Sequence, residues 1–143
     1  MKAVQVYLTK KNYKIMTMYR LESWSYIISE PIYILPKEVE VKELSSKIFD
    51  ALQSSKQLLE SEEEQYRLGN KLFLQTIKES SLNKFYEASK SCGVYKNGNK
   101  ICIEPYKFDG KDQGISVIKD RILELDSTTE SIEVTKIIID ILK

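Results

Sequence analysis

Val94-Tyr95-Lys96-Asn97-Gly98-Asn99-Lys100-Ile101 carries the strongest local signal in the chain. Asn-Gly between two β-prone runs favours a tight type I′ hairpin, because both turn residues tolerate positive φ. With Asn97 and Gly98 as the loop, Lys96 pairs with Asn99, Val94 with Ile101, and Cys92 with Ile103. Alternation collects Cys92, Val94, Ile101 and Ile103 on one apolar face, while Cys102, opposite Gly93, faces the other way. An antiparallel sheet with a buried face follows. Two thiols on opposite faces do not bridge, so Cys92 and Cys102 are expected to be free.

Upstream, Val4, Val6 and Leu8 alternate with Ala3, Gln5 and Tyr7, the period-two pattern of a strand. Lys10-Lys11-Asn12 reads as a turn, and Tyr13 to Tyr19 as a second strand rich in β-favouring residues. Glu22 to Ile34 is apolar and aromatic but interrupted by Pro31. It becomes two short extended pieces, or one edge strand with a break. After Pro36 the period changes: Val41, Leu44, Ile48, Leu52 and Leu59 share one helical face, which predicts a helix over about 39–56 that frays through 57–61. Glu62-Glu63-Glu64 resembles the first turn of the next helix, buried through Leu68, Leu72, Phe73, Thr76 and Ile77. Ser80 or Ser81 caps a short third helix carrying Leu82, Phe85 and Ala88.

Downstream of the hairpin, Pro105 to Gly114 reads as a loop. Ile122 to Leu125 is the most strand-like part of the stretch after it. Ser127-Thr128-Thr129-Glu130 fits a capping box ahead of a terminal helix with Val134, Ile137, Ile138, Ile141 and Leu142 as its stripe. Leu35, Leu44, Ile48, Asp50 and Leu52 are echoed 90 residues later by Leu125, Val134, Ile138, Asp140 and Leu142. Two copies read as recurrent strand-helix patterning rather than a solenoid repeat. The expected fold is α+β (α/β): one domain over residues 1–143, a mostly antiparallel sheet with about four helices packed on it.

Composition narrows the function. The 143 residues are 42% hydrophobic and 30% charged, the profile of a globular domain with one core. No apolar run approaches the roughly 20 residues that span a bilayer, and the opening residues alternate instead of forming a secretion signal. A cytoplasmic location without membrane contact is expected. Histidine is absent, which removes the commonest general base and metal ligand. No Walker-type or Rossmann-type glycine loop is present, and the serines lack the setting of a nucleophile. No catalytic, cofactor-binding or metal-binding residue is therefore expected.

Charge is +1 overall but uneven. Residues 1–20 hold five cations and no acid, whereas residues 30–64 hold nine acids against four lysines. Glu60, Glu62, Glu63 and Glu64 are the densest part of that acidic stretch. They read as a solvated helix start or as a contact for a basic partner; adjacent glutamates splay too far for a metal cage. Tyr106, Phe108, Asp109 and Asp112 combine aromatic and acidic character in the manner of an interface anchor. Their aspartates lack the ligand series of a calcium loop. Tyr7, Tyr13, Tyr19, Trp24, Tyr26 and Tyr33 crowd the basic first quarter. They suit ordinary cross-strand pairs or, as the second function, a single-stranded nucleic-acid stacking surface.

Several segments together resemble a known family: Trp24-Ser25, Pro31-Ile32-Tyr33-Ile34-Leu35-Pro36, the Leu44 to Leu52 helix, Leu82-Asn83-Lys84-Phe85-Tyr86, the Cys92 to Ile103 hairpin, and the closing strand and helix. In this order they are similar to immunity proteins of bacterial contact-dependent growth-inhibition systems. The resemblance implies an α/β protein that neutralises one cognate toxin C-terminal domain, usually a nuclease, by stoichiometric binding in the cytoplasm. An acidic surface would complement a nuclease that presents basic groups to phosphate. No contact residue carries over by motif.

Overall fold

A computed structural model describes all 143 residues. Eight strands form one sheet: β1 (Lys2–Leu8), β2 (Asn12–Leu21), β3 (Tyr26–Pro36), β4 (Gln57–Leu58), β5 (Lys90–Asn97), β6 (Lys100–Phe108), β7 (Ile115–Val117) and β8 (Leu123–Asp126). The order is β3-β2-β1-β5-β6-β7; β8 also lies against β6, and the two-residue β4 continues the β1 side of β2 as the one parallel pairing. The helices are α1 (Val41–Ser54), α2 (Glu63–Tyr66), α3 (Asn70–Ile77), α4 (Leu82–Ala88) and α5 (Ser131–Leu142). No helix is long and apolar enough to cross a membrane. The expected α+β sheet-and-helix architecture is the one observed.

Strand alternation explains the layers. Val4, Val6, Tyr13, Ile15, Cys92, Val94, Ile101 and Ile103 turn one way and pack against Leu44, Ile48, Ala51 and Leu52 of α1 and Val134, Ile138 and Leu142 of α5. Tyr7 and Met16 turn the other way, onto Phe73 and Ile77 of α3 and Phe85 of α4. Ser55, just past α1, ties that helix to the sheet: its hydroxyl accepts from the Ala3 amide at 2.9 Å and donates to the Met18 carbonyl. The two helices of the 90-residue echo, α1 and α5, cover the same face, while its strand residues Leu35 and Leu125 lie in β3 and β8, against β2 and β6.

β3 is the edge strand with a break. Ile32 pairs with Met16 but Ser29 with Thr17, so Glu30 and Pro31 form a bulge, across a cis Glu30–Pro31 bond. A proline sits there because a bulge asks no ladder bond of it.

Five expectations need correction. The hairpin closes on Gly98-Asn99, pairing Asn97 with Lys100, Val94 with Ile103 and Tyr95 with Cys102. Gly98, at φ 60°, then takes the one positive-φ position, where a type II′ turn places glycine, and Asn97 is spared it. The shift is two residues, so parity and faces survive: Cys92 is buried in the core and Cys102 points away, both as free thiols.

The stretch 57–61 does not fray, because Gln57 and Leu58 pair with Arg20 and Leu21. The helix expected through Glu62 to Ile77 is two helices, and Leu72 is exposed. Tyr66 packs beside Tyr19 on the α1 face, whereas Leu68 packs with Phe73 on the other, so the chain turns round the β3 edge between them. Pro105 does not end its strand. Its register partner Cys92 lies near the start of β5, and β6 runs on through Tyr106 and Phe108 against β7. The terminal capping box is not made. Asp126 instead accepts from the Thr128 amide at 2.9 Å and its hydroxyl at 2.8 Å, and α5 starts after Glu130 without a side-chain cap.

Candidate functional site

The acidic candidates lie beyond β4, at the β2–β3 end of the sheet. Glu60 and Glu62 form a 3-10 turn that leads directly into α2. Glu62 accepts from the Leu59 amide at 3.0 Å and Glu63 pairs with Arg67, which leaves Glu60 and Glu64 free in solvent. No three acidic or thiol side chains converge tightly enough to hold an ion.

The aromatic-acidic candidates lie at the opposite end of the sheet, along β6 and β7, and do not form one group. Asp112, at φ 63°, is pinned to α4: it accepts from Asn83 Nδ2 at 2.8 Å and its amide donates to Asn83 Oδ1 at 2.9 Å. Asp109 accepts from the Ser116 hydroxyl at 2.9 Å. Phe108 lines a shallow hollow with Ser81, Lys84 and Lys111. Tyr106 is separated from these three and points along the sheet face, its hydroxyl 2.7 Å from that of Tyr95. The acidic cluster and the loop are thus two separate surfaces.

Between them, α3 and α4 leave part of their sheet face uncovered. Tyr26, Tyr95, Cys102, Glu104, Lys100 and Glu124 line a hollow of about 500 Å³ there. The Tyr26 and Tyr95 rings meet edge to face at 5.7 Å. Tyr95 and Tyr106 can lie over the backbone at residue 93 because it is glycine: a Cβ there would come within 2.2 Å of the Tyr106 hydroxyl and 2.8 Å of Tyr95 Cε2. Burial pushes the Tyr95 and Tyr106 hydroxyls well above the usual phenol range, so both stay neutral hydrogen-bonding groups. Burial also raises the Glu104 carboxyl. Glu104 takes part in no ion pair, since Lys100 is engaged by Glu124 at 2.6 Å.

Tyr95, Glu104 and Glu124 form one surface that the sequence pattern alone does not bring together. The available signal was the outward face of the hairpin, where Gly93, Tyr95, Cys102 and Glu104 alternate with the core residues. Half of the first-quarter aromatics went the other way. Tyr7, Tyr13 and Tyr19 are 1%, 6% and 7% exposed, so they present no ring to a base.

This fold has precedents. The chain superimposes on a protein of unknown function from Neisseria meningitidis with a TM-score of 0.76, at 11% identity over 99% of this chain and 92% of that one. It also superimposes on a chain from a CdiA-CT/CdiI toxin and immunity complex of Yersinia pseudotuberculosis, with a TM-score of 0.72, at 12% identity over 99% of this chain and 97% of that one. No protein-family model and no curated protein matches the sequence. At such identities the likeness is one of fold.

Proposed function

We propose that this chain is an immunity protein: a non-catalytic domain that binds one cognate toxin domain and neutralises it as a stoichiometric complex in the cytoplasm. The observation that supports this most is the end-to-end likeness to a chain from a toxin and immunity complex, with neither chain carrying a large unmatched portion. The uncovered sheet face adds to it. Tyrosines held in place by packing, beside an uncompensated carboxylate, have the composition of a protein-binding surface. The toxin partner is a nuclease in this reading, because the excess of acid over residues 30–64 complements a surface that binds phosphate. The whole chain acts as one binding domain, with no cofactor, membrane or nucleic acid of its own.

The single-stranded nucleic-acid alternative loses ground to burial, since Tyr7, Tyr13 and Tyr19, half of the six aromatics it needs, are core residues. The direct test is co-expression with a candidate toxin domain, sought in the genes neighbouring this one. Protection of the host cell, with a one-to-one complex on size-exclusion chromatography with light scattering, is the expected result. Killing that this chain does not relieve, with no complex formed, would reject the reading.

A further inference from the structure

The turn joining β2 to β3 carries the chain's single tryptophan in an unusual position. Glu22-Ser23-Trp24 form a three-residue loop, closed by Leu21 N donating to Ser25 O at 2.8 Å and Trp24 N donating to Leu21 O at 3.0 Å. The third residue of such a loop adopts the left-handed conformation and is ordinarily glycine. Here it is Trp24, at φ 69° and 70% exposed, the most exposed of the large apolar side chains. A bulky residue with positive φ is strained, and strain of this kind persists where the side chain serves a purpose other than folding. Burial does not supply that purpose. The indole stacks with the Arg20 guanidinium, 4.0 Å from the ring centroid.

Trp24 continues the open sheet face. Arg20 is opposite Tyr26 in the β2–β3 register, and Tyr26 meets Tyr95 at the wall of the hollow that holds Glu104. Tryptophan, arginine and tyrosine are the residues most enriched at the energetic centres of protein interfaces. The charge of this strip is mixed: Arg20 lies within it, and Lys100, paired with Glu124, lines the hollow. Glu104 and Glu124 lie on its hairpin side. On the other side, the acidic run begins at Glu60, two residues beyond the Leu58 that pairs with Leu21.

We infer that Trp24, with Tyr26, Tyr95 and Glu104, anchors the partner: Trp24 seats on an apolar patch of the toxin domain, and a toxin arginine enters the hollow to meet Glu104. Arginine fits because its planar guanidinium stacks on tyrosine rings while engaging a carboxylate with two parallel bonds. Arg20 on Trp24 shows the same stacking within this chain. The inference rests on the immunity reading for the identity of the partner.

The test uses the intact chain and the toxin domain identified by the co-expression test. Trp24 is the sole tryptophan, so excitation at long wavelength reports its environment if the toxin domain's own tryptophans are replaced by the non-fluorescent 4-fluorotryptophan. Binding should shift its emission to the blue and protect it from acrylamide. Trp24→Gly should weaken binding at least tenfold by calorimetry while leaving Tm unchanged or higher, because glycine suits φ 69°. Glu104→Gln should weaken binding about tenfold. A toxin that binds wild type and Trp24→Gly equally, with Trp24 still open to acrylamide, overturns this inference and leaves the immunity reading standing. A toxin that binds neither overturns the immunity reading itself. Weaker binding accompanied by a fall in Tm makes Trp24 a folding residue and also overturns the inference.

Discussion

Replacing Gly93 by alanine isolates the packing that shapes the open sheet face. The added Cβ would lie 2.2 Å from the Tyr106 hydroxyl oxygen, 2.8 Å from Tyr95 Cε2 and 3.0 Å from Tyr106 Cζ, so both rings must move. Overpacking of this kind costs about 1–3 kcal/mol. Moving the rings also breaks the 2.7 Å Tyr95–Tyr106 hydroxyl bond, a further loss of about 1 kcal/mol. Against these, alanine in a strand gains about 0.5–1 kcal/mol over glycine. The net expectation is a destabilisation of about 2 kcal/mol, read as a fall of roughly 1 M in the urea midpoint at unchanged slope. Tyr106→Phe supplies the control. It removes the atom in closest conflict, so the alanine should cost less in the phenylalanine background than in wild type, a coupling of about 1 kcal/mol. A Gly93→Ala protein within about 0.5 kcal/mol of wild type, or one whose penalty ignores Tyr106→Phe, would show that the rings are not seated against this backbone.

Lys14 is 2% exposed, with Nζ donating to the Ile77 carbonyl and to Glu79, and lying 5.4 Å from the centre of the Phe85 ring. Lys14→Met should cost about 2–3 kcal/mol by chemical denaturation, less than for a fully enclosed pair because Glu79 can rehydrate. Native iodoacetamide labelling at pH 8 should modify Cys102 alone, and slowly, since burial and the nearby Glu104 and Glu124 carboxylates raise its thiol. Cys92, pushed up to about 12 by burial, should react only after unfolding; a second adduct on the native protein would contradict its core placement. Glu60→Lys with Glu64→Lys should slow toxin association roughly threefold or more at low salt, fading as salt rises, with stability little changed because neither carboxylate has a local bond to lose.

Parity was the most legible property of the sequence. Every apolar residue placed on the buried face of the hairpin is there, although the register itself is two residues away from the Asn-Gly expectation. Period two assigns faces from side-chain chemistry, whereas register depends on which residue accepts positive φ. In Lys96-Asn97-Gly98-Asn99 two neighbouring turns satisfy similar rules. The long helices α1 and α5 were legible for the same reason, with a stripe over several turns outweighing a β-branched composition. The short elements were not. β4 exists because Arg20 and Leu21 extend past β1 and need partners, and the break before α3 because the chain must round the β3 edge. Both causes lie in residues distant along the sequence.

The site was less legible than the fold, and the burial of the aromatics shows why. Six aromatic residues crowd the first quarter, but pattern alone does not separate Tyr7, buried with its ring tilted against Phe85 at 4.7 Å, from Trp24 in open solvent. The difference arises from cover. α3 and α4 are short and reach only the end of the sheet face holding Tyr7 and Met16, so residues of like chemistry further along the same face stay uncovered. A helix that covered the whole face would have to be paired with apolar residues at positions 95, 102 and 104. The chain places Tyr95, Cys102 and Glu104 there instead, the last with no counter-ion of its own. A carboxylate partly removed from water, with no counter-ion in the chain, costs some folding free energy. Its retention is therefore best understood through a contact from outside, which is why the cationic group of a partner, rather than a further element of this chain, is the natural complement of this surface.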